Sequence, residues 1–250
     1  MPPGQEGLSE RRHRHTLATM EDTDSRSTVE TVADALTEAV RTGRLVPGQR
    51  LTESEFTARL GVSRSSVREA FRRLTADGLL AAEPHRGVMV RQLSRAEVDN
   101  LFQVRGALEA LAVTLALPKL HVAPSALVTL QSDLDAAVDE GNMNRFSQLN
   151  GQFHRLFRET AENPLLSDTL TRLSNSLYWL QFRVLVDRSH VFETNRQHRE
   201  VTECVVANDE DGARTAMLRH IENARKLIQS LPDDHFAPPK QHIGKNASMA

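Results

Sequence analysis

The chain has 250 residues, 39% of them hydrophobic and 26% charged, with a net charge of −2. That length builds one large domain or two modest ones, and the balance suits a globular protein rather than a disordered one. Near-neutral charge offers no global pull on nucleic acid, and the single cysteine, Cys204, excludes an internal disulfide framework and fits a reducing cytoplasm. No apolar run approaches the ~18 residues of a membrane span. The N-terminus lacks an apolar signal core. The charge is distributed unevenly: residues 26–92 are net basic and residues 93–250 net acidic.

Residues 1–25 are polar, include Arg11-Arg12-His13-Arg14-His15, and read as a disordered tail. A helix follows over 28–42, with Val32, Ala35, Leu36 and Ala39 as its inward stripe. Gly43 ends it, and Pro47-Gly48 signals a turn. Thr52-Glu53-Ser54-Glu55 is a capping box that opens a short second helix, with Phe56 and Leu60 inward and Gly61 as its stop.

A third helix starts after Ser63, whose hydroxyl suits the N-cap. Val67, Ala70, Phe71 and Leu74 form its buried face, while Arg64, Arg68 and Arg72 recur every four residues on the opposite face. Between Arg59 and Arg73 there are five arginines and one acid, Glu69. A solvated helix normally mixes its charges, so this one-sided face suggests an anionic partner. Asp77-Gly78 turns the chain, and two short apolar runs flank Pro84-His85-Arg86-Gly87 as a β-hairpin. Three helices and a hairpin make a winged helix-turn-helix pattern.

From Ser94 the pattern is helical throughout. Ser94-Arg95-Ala96-Glu97 caps a helix that Pro118 is expected to stop at Leu117. Further helices are expected over 124–140, 144–161, 164–186, 192–207 and 209–231, with 187–190 as a joint. Cys204 falls in an apolar helical stretch and reads as core filling. Six helices with short joints imply an antiparallel bundle. The expected organisation is a tail (1–25), a winged helix-turn-helix (26–92), an all-α bundle (93–232) and a flexible C-terminal tail (233–250). The linker is only Gln92-Leu93, so each unit should feel the other's orientation.

The first unit resembles the DNA-binding domain of the GntR family of bacterial transcription regulators. The likeness rests on Pro47-Gly48, Leu60-Gly61-Val62-Ser63-Arg64, Val67-Arg68-Glu69-Ala70, Arg73-Leu74, Gly78-Leu79 and Arg86-Gly87. Val104-Arg105, Leu108-Glu109, Ala112, Phe153-His154 and Asn163-Pro164-Leu165 resemble the helical FCD domain of the FadR-like branch. The resemblance implies DNA contact by Ser63, Arg64, Ser65 and Arg68, with Arg72 as a candidate for a phosphate. Arg64 or Arg68 is the better candidate for reading guanine, because a guanidinium bonds O6 and N7 together. The hairpin tip, His85-Arg86-Gly87, would reach the minor groove. Ser54 stands where some relatives carry arginine, which puts one contact in doubt.

The same resemblance implies a divalent metal, zinc or nickel, in the bundle. His154, His198 and His220 lie on three different expected helices, 44 and 22 residues apart, as in that family. Asn150 stands where the family usually has aspartate. It supplies a carbonyl oxygen without charge, so the site should be weaker or the ligand should bind without metal. A metal with open positions attracts a carboxylate or hydroxy-acid effector. Arg105 would then grip a second carboxylate, or simply pair with Glu109 four residues on. Tyr178, Trp179 and Arg183 share one expected helix, and some of them should line the pocket.

The expected protein is therefore a cytoplasmic, homodimeric, ligand-responsive DNA-binding regulator, a repressor released by a small organic acid. It is not expected to be an enzyme or to meet a membrane. A metal sensor of the same fold is the alternative. A metal-dependent hydrolase is the remote one, since no acid or base stands at motif spacing beside the histidines.

Overall fold

The computed structural model describes residues 27–83, 87–185 and 187–238. The expected N-terminal tail, the wing-tip residues His85 and Arg86, and the end of the chain from 239 lie outside them. The fold is mostly α: a winged helix-turn-helix followed by an all-α bundle.

The first unit contains α1 (Thr28–Arg41), α2 (Glu53–Leu60) and α3 (Arg64–Ala76). Ser27 and Glu30 close a capping box on α1. Val32, Ala33, Leu36, Ala39 and Val40 are its buried positions, so Ala35 faces outward, contrary to the expected stripe. Thr52 caps α2 by accepting from the Glu55 N–H at 3.3 Å. Gly61 ends α2 in the left-handed region, φ 66°, where a Cβ is disfavoured. Phe56 packs edge-on against Phe71 with centroids 5.8 Å apart and ties α2 to α3.

The wing is a three-stranded sheet, not a bare hairpin. β2 (Leu80–Glu83) and β3 (Gly87–Val90) pair antiparallel, and β1 (Arg50–Leu51) adds to the other side of β3.

The bundle comprises α4 (Arg95–Val122), α5 (Ser125–Asp139), α6 (Met143–Thr160), α7 (Pro164–Leu185), α8 (Arg188–Val206) and α9 (Glu210–Gln229). Its apolar core is separate from that of the first unit. Cys204 is half-buried and packs against that core.

Pro118 does not stop α4, which continues to Val122. An interior proline costs about 3 kcal/mol. Leu117 and Leu120 on either side are buried, and each contributes about 1.5–3 kcal/mol if the helix continues, so continuation wins. By length and composition alone α4 is apolar enough to cross a membrane. Half of that window is buried against the rest of the bundle, as in a core helix. α8 starts at Arg188, not 192, because Asp187 caps it by accepting from the Ser189 N–H at 2.9 Å.

The tail expected to fray from 233 is held over its first residues. A 3₁₀ turn spans Asp233–His235, Phe236 is buried, and the Ala237 N–H donates to the Leu93 carbonyl at 2.9 Å. Arg95 braces this segment from α4, pairing with Asp233 at 2.6 Å and lying over the Phe236 ring.

α7 is the contact between the two units. Asn175 Nδ2 donates to the Asp77 carbonyl at 3.3 Å, and Ser176 Oγ to the Gly78 carbonyl at 3.2 Å. Arg91 donates to Ser176 Oγ at 3.3 Å, and Arg41 stacks over Tyr178 at 5.5 Å. Gly78 has φ 78°, and a Cβ there would lie 2.6 Å from Ser176 Oγ and 3.0 Å from the Arg172 carbonyl. Gly78→Ala should therefore loosen the docking, since the left-handed conformation alone costs about 1–2 kcal/mol. Limited proteolysis should cut this variant faster around residues 77–93 than the wild type.

Candidate DNA interface and metal centre

α3 presents its basic face outward. Ser63 caps it by accepting from the Ser66 N–H at 3.1 Å, and also bonds the Ser65 hydroxyl at 2.8 Å. Val67, Ala70, Phe71 and Leu74 anchor the inner face, which leaves Arg64, Arg68 and Arg72 in solvent. Arg68 is not free: its Nε and Nη2 bond the two carboxylate oxygens of Glu53 at 2.7 and 2.8 Å. Nothing in the local sequence signals this pair, since the two residues are fifteen apart and on different helices. Arg72 pairs with Glu69 at 3.3 Å, and Arg73 lies 3.7 Å from Glu30. Gly87 opens β3 at φ 81°, with the Arg50 guanidinium beside it. Arg50 is thus a further cation at the wing, missed because so short a strand as β1 leaves no pattern.

The second constellation lies in the bundle core. α6, α8 and α9 bring His154, His198 and His220 together, all buried, with their ligating nitrogens within 4.8 Å of one another. His154 Nε2 and His220 Nε2 face each other at 3.2 Å. The outer nitrogens are directed elsewhere. His220 Nδ1 meets Gln197 Oε1 at 3.3 Å, and His154 Nδ1 lies 3.3 Å from Glu109 Oε2, off the line of a good hydrogen bond. With a proton on Nδ1 of both rings, the arrangement these oxygens favour, two lone pairs would face each other at Nε2.

Protonating a ring would relieve that conflict, but burial works against it. Desolvation lowers the His154 pKa despite the nearby Glu109, and lowers those of His198 and His220 well below the usual imidazole value. A cation between the rings relieves it too. Two nitrogens on one tetrahedral zinc stand about 3.4 Å apart, given Zn–N bonds of about 2.1 Å.

His198 supplies the test of fit. It is fully buried, it stacks on Phe153 with centroids 4.3 Å apart, and neither ring nitrogen has a hydrogen-bond partner. An orphaned buried donor or acceptor costs about 1–3 kcal/mol, which a metal bond would recover. The outer partners, Glu109 and Gln197, match the oxygen acceptors that orient metal-bound imidazoles. Three neutral nitrogens, two of them so oriented, suit a divalent ion with an open position.

Asn150, His154 and His220 line a small chamber of about 30 Å³ together with Arg105. The Arg105 guanidinium bonds Glu109 Oε1 through Nε at 3.1 Å, both side chains are buried, and Nη1 has no partner. Arg105 thus makes the expected ion pair and keeps a spare donor. Burial would raise the Glu109 carboxyl, but the neighbouring His154 ring and the Arg105 guanidinium outweigh it and hold the pKa below the usual carboxylate range. With His154 neutral, Arg105 is the standing charge. Of the three α7 candidates, Tyr178 lines the adjoining cleft. Trp179 packs beside Gly43, and Arg183 donates to His235.

The sequence matches the family model described as bacterial regulatory proteins, gntR family, over residues 28–90, and that of the FCD domain over 100–223. A protein from Paenarthrobacter nicotinovorans, described as a "probable D-xylose utilization operon transcriptional repressor", is 31% identical over 209 residues, spanning 81% of this chain and 91% of its own. The chain belongs to the GntR family, with an FCD domain. The transcriptional repressor RspR of Escherichia coli (strain K12) is 27% identical over 194 residues, covering 76% of this chain and 84% of its own. Two solved structures share the fold of this GntR-family chain. E. coli McbR/YncC has a TM-score of 0.70 at 22% identity, covering 82% of this chain and 98% of its own. A GntR regulator from Rhodococcus sp. RHA1 has a TM-score of 0.68 at 24% identity, covering 82% and 98%.

This GntR-family protein is a DNA-binding transcriptional regulator, not an enzyme. Glu109 is the carboxylate beside the histidines that sequence spacing did not reveal, and Arg105 already occupies it. Its place in the core is structural. Glu109→Gln should destabilise the GntR-family bundle by about 3–5 kcal/mol, because it leaves Arg105 as a buried unpaired charge. Urea unfolding followed by circular dichroism checks this.

Proposed function

We propose that this regulator is a repressor released from its operator by a small organic acid bound at a divalent metal in the FCD domain. One observation carries the reading: the Nε2 atoms of His154 and His220 face each other at 3.2 Å beside His198, whose buried nitrogens have no partner. His154, His198 and His220 would hold the ion, zinc or nickel, with the Asn150 carbonyl oxygen as a neutral fourth ligand in the same chamber. The metal, when bound, supplies an electrophilic position for a carboxylate or hydroxyl. The spare Arg105 Nη1 would take a carboxylate oxygen, at the charge-assisted strength such pairs reach.

On the DNA side, Ser63, Arg64, Ser65, Arg68 and Arg72 of α3 would enter the major groove, and Gly87 with its wing the neighbouring minor groove. His85 and Arg86 belong to this proposal by sequence alone. A two-fold operator would be met by a homodimer. The half-exposed row Val104, Leu111 and Leu115 on α4 offers an apolar surface to the second copy. The protein would act in the cytoplasm, free of membranes.

The test uses DNA selected from a random pool by the full-length protein. Fluorescence anisotropy would measure its affinity for metal-free and zinc-loaded protein, with and without lactate and gluconate. An acid-induced loss of binding that requires zinc supports the reading. Release or recruitment by zinc alone, with no effect of either acid, would instead establish a metal sensor. Sedimentation at 27.9 kDa under these conditions would contradict the dimer.

A further inference from the structure

The chamber is lined by Arg105, Asn150, His154, Thr194 and His220, and Arg105 pairs with the buried Glu109. Arg158 is not part of either. It lies on α6 one turn beyond His154, about 6 Å further along the axis. It is half-buried and makes no hydrogen bond or ion pair with a described residue. Burial pulls its guanidinium below the usual value, with Glu109 and Glu159 only partly opposing this. An arginine held half out of water without a partner is costly unless something else pairs with it.

What it faces is a cleft of about 700 Å³ whose lining also includes Arg105, Asn150 and His154, so the cleft adjoins the ion chamber. The other cations at its rim are engaged: Arg155 lies 3.8 Å from Glu159, and Arg41 stacks over Tyr178. One cleft therefore carries two guanidinium groups with unused donors. Arg105 Nη1 is at the buried end, and Arg158 stands a helical turn away from the histidines. Glu38 and Arg41 of α1 also line the cleft, so a ligand filling its outer half sits against the DNA-binding unit.

We infer that the cleft takes an extended diacid, with one carboxylate head at the ion chamber and Arg105, and a second acidic group paired with Arg158. This rests on the effector reading given above and narrows its ligand class. A monoacid of the same length would leave Arg158 unpaired. A distal carboxylate matches the guanidinium fork with two charge-assisted bonds, an advantage of about tenfold to a hundredfold in affinity.

Gluconate and glucarate test this directly. Both are six-carbon 2-hydroxy acids, and they differ only at the far end, an alcohol in one and a carboxylate in the other. Calorimetric titration of the zinc-loaded full chain should show glucarate binding at least tenfold tighter than gluconate. In R158Q that advantage should collapse to within about threefold, gluconate affinity should hold, and R158K should recover part of the difference. Zinc stoichiometry and melting temperature confirm that the variants fold. Equal affinities for the two acids in the wild type, or an undiminished preference in R158Q, overturn the second acidic subsite while leaving an acid-responsive regulator intact. If neither acid binds or shifts operator affinity, the subsite and the effector reading fall together.

Discussion

Arg68→Ala is expected to weaken binding to the selected operator by about tenfold to a hundredfold, the loss of one bidentate guanine contact. Binding to random DNA should fall much less, since one phosphate-range charge out of several is lost. The geometry sharpens this. Glu53 holds the Nε–Nη2 edge of the guanidinium, which leaves the Nη1–Nη2 end free for guanine O6 and N7. Glu53 is thus a positioning residue for Arg68, at the cost of placing an acid near the DNA. Glu53→Ala should therefore split the two affinities: random DNA binds a few-fold tighter, and the ratio of operator to random binding falls. Anisotropy at two salt concentrations separates the effects. Tighter operator binding with an unchanged ratio would show that Glu53 only competes with DNA and does not orient Arg68. Arg64 makes no ion pair with a described residue, although its charge also acts on Glu53.

Helices with regular apolar spacing were legible in the sequence. The sequence places α3 from its Ser63 cap to Ala76 because cap, inward face and basic face agree. Features that depend on a distant segment were not. β1 is two residues long and exists because β3 passes beside it. Pro118 looked like a stop because local cost is visible in sequence, whereas the burial of Leu117 and Leu120 that offsets it is not. The three histidines could be found by spacing and resemblance. Their orienting partners, Glu109 on α4 and Gln197 on α8, could not, since nothing local links a carboxylate at 109 to an imidazole at 154. The same holds for Arg158, whose lack of a partner is a property of the cleft and not of α6.

His198 gives the sharpest test of the metal centre, because the structure makes opposite predictions for the metal-free and zinc-loaded protein. In the wild type, zinc at a hundred times its dissociation constant should stabilise the fold by about 2.7 kcal/mol. For a chain of this size that raises the melting temperature by about 5–11 °C. His198→Leu removes two buried nitrogens without partners, worth about 1–3 kcal/mol of desolvation. It also gives up the stack on Phe153, worth about 0.5–1.5 kcal/mol. The first effect is the larger, so the metal-free variant should melt at or above the metal-free wild type. The zinc-dependent rise should vanish, because without His198 the ion keeps only His154, His220 and the neutral Asn150 oxygen, one imidazole short of the three-histidine set. Operator affinity of the metal-free protein should be unchanged, since α3 lies in the other unit with its own core. A variant that still binds one zinc per chain with the full thermal shift would remove His198 from the ligand set. A metal-free variant that melts well below the wild type would show that its buried nitrogens carry no desolvation cost, and the strongest reason for placing an ion there would go with them.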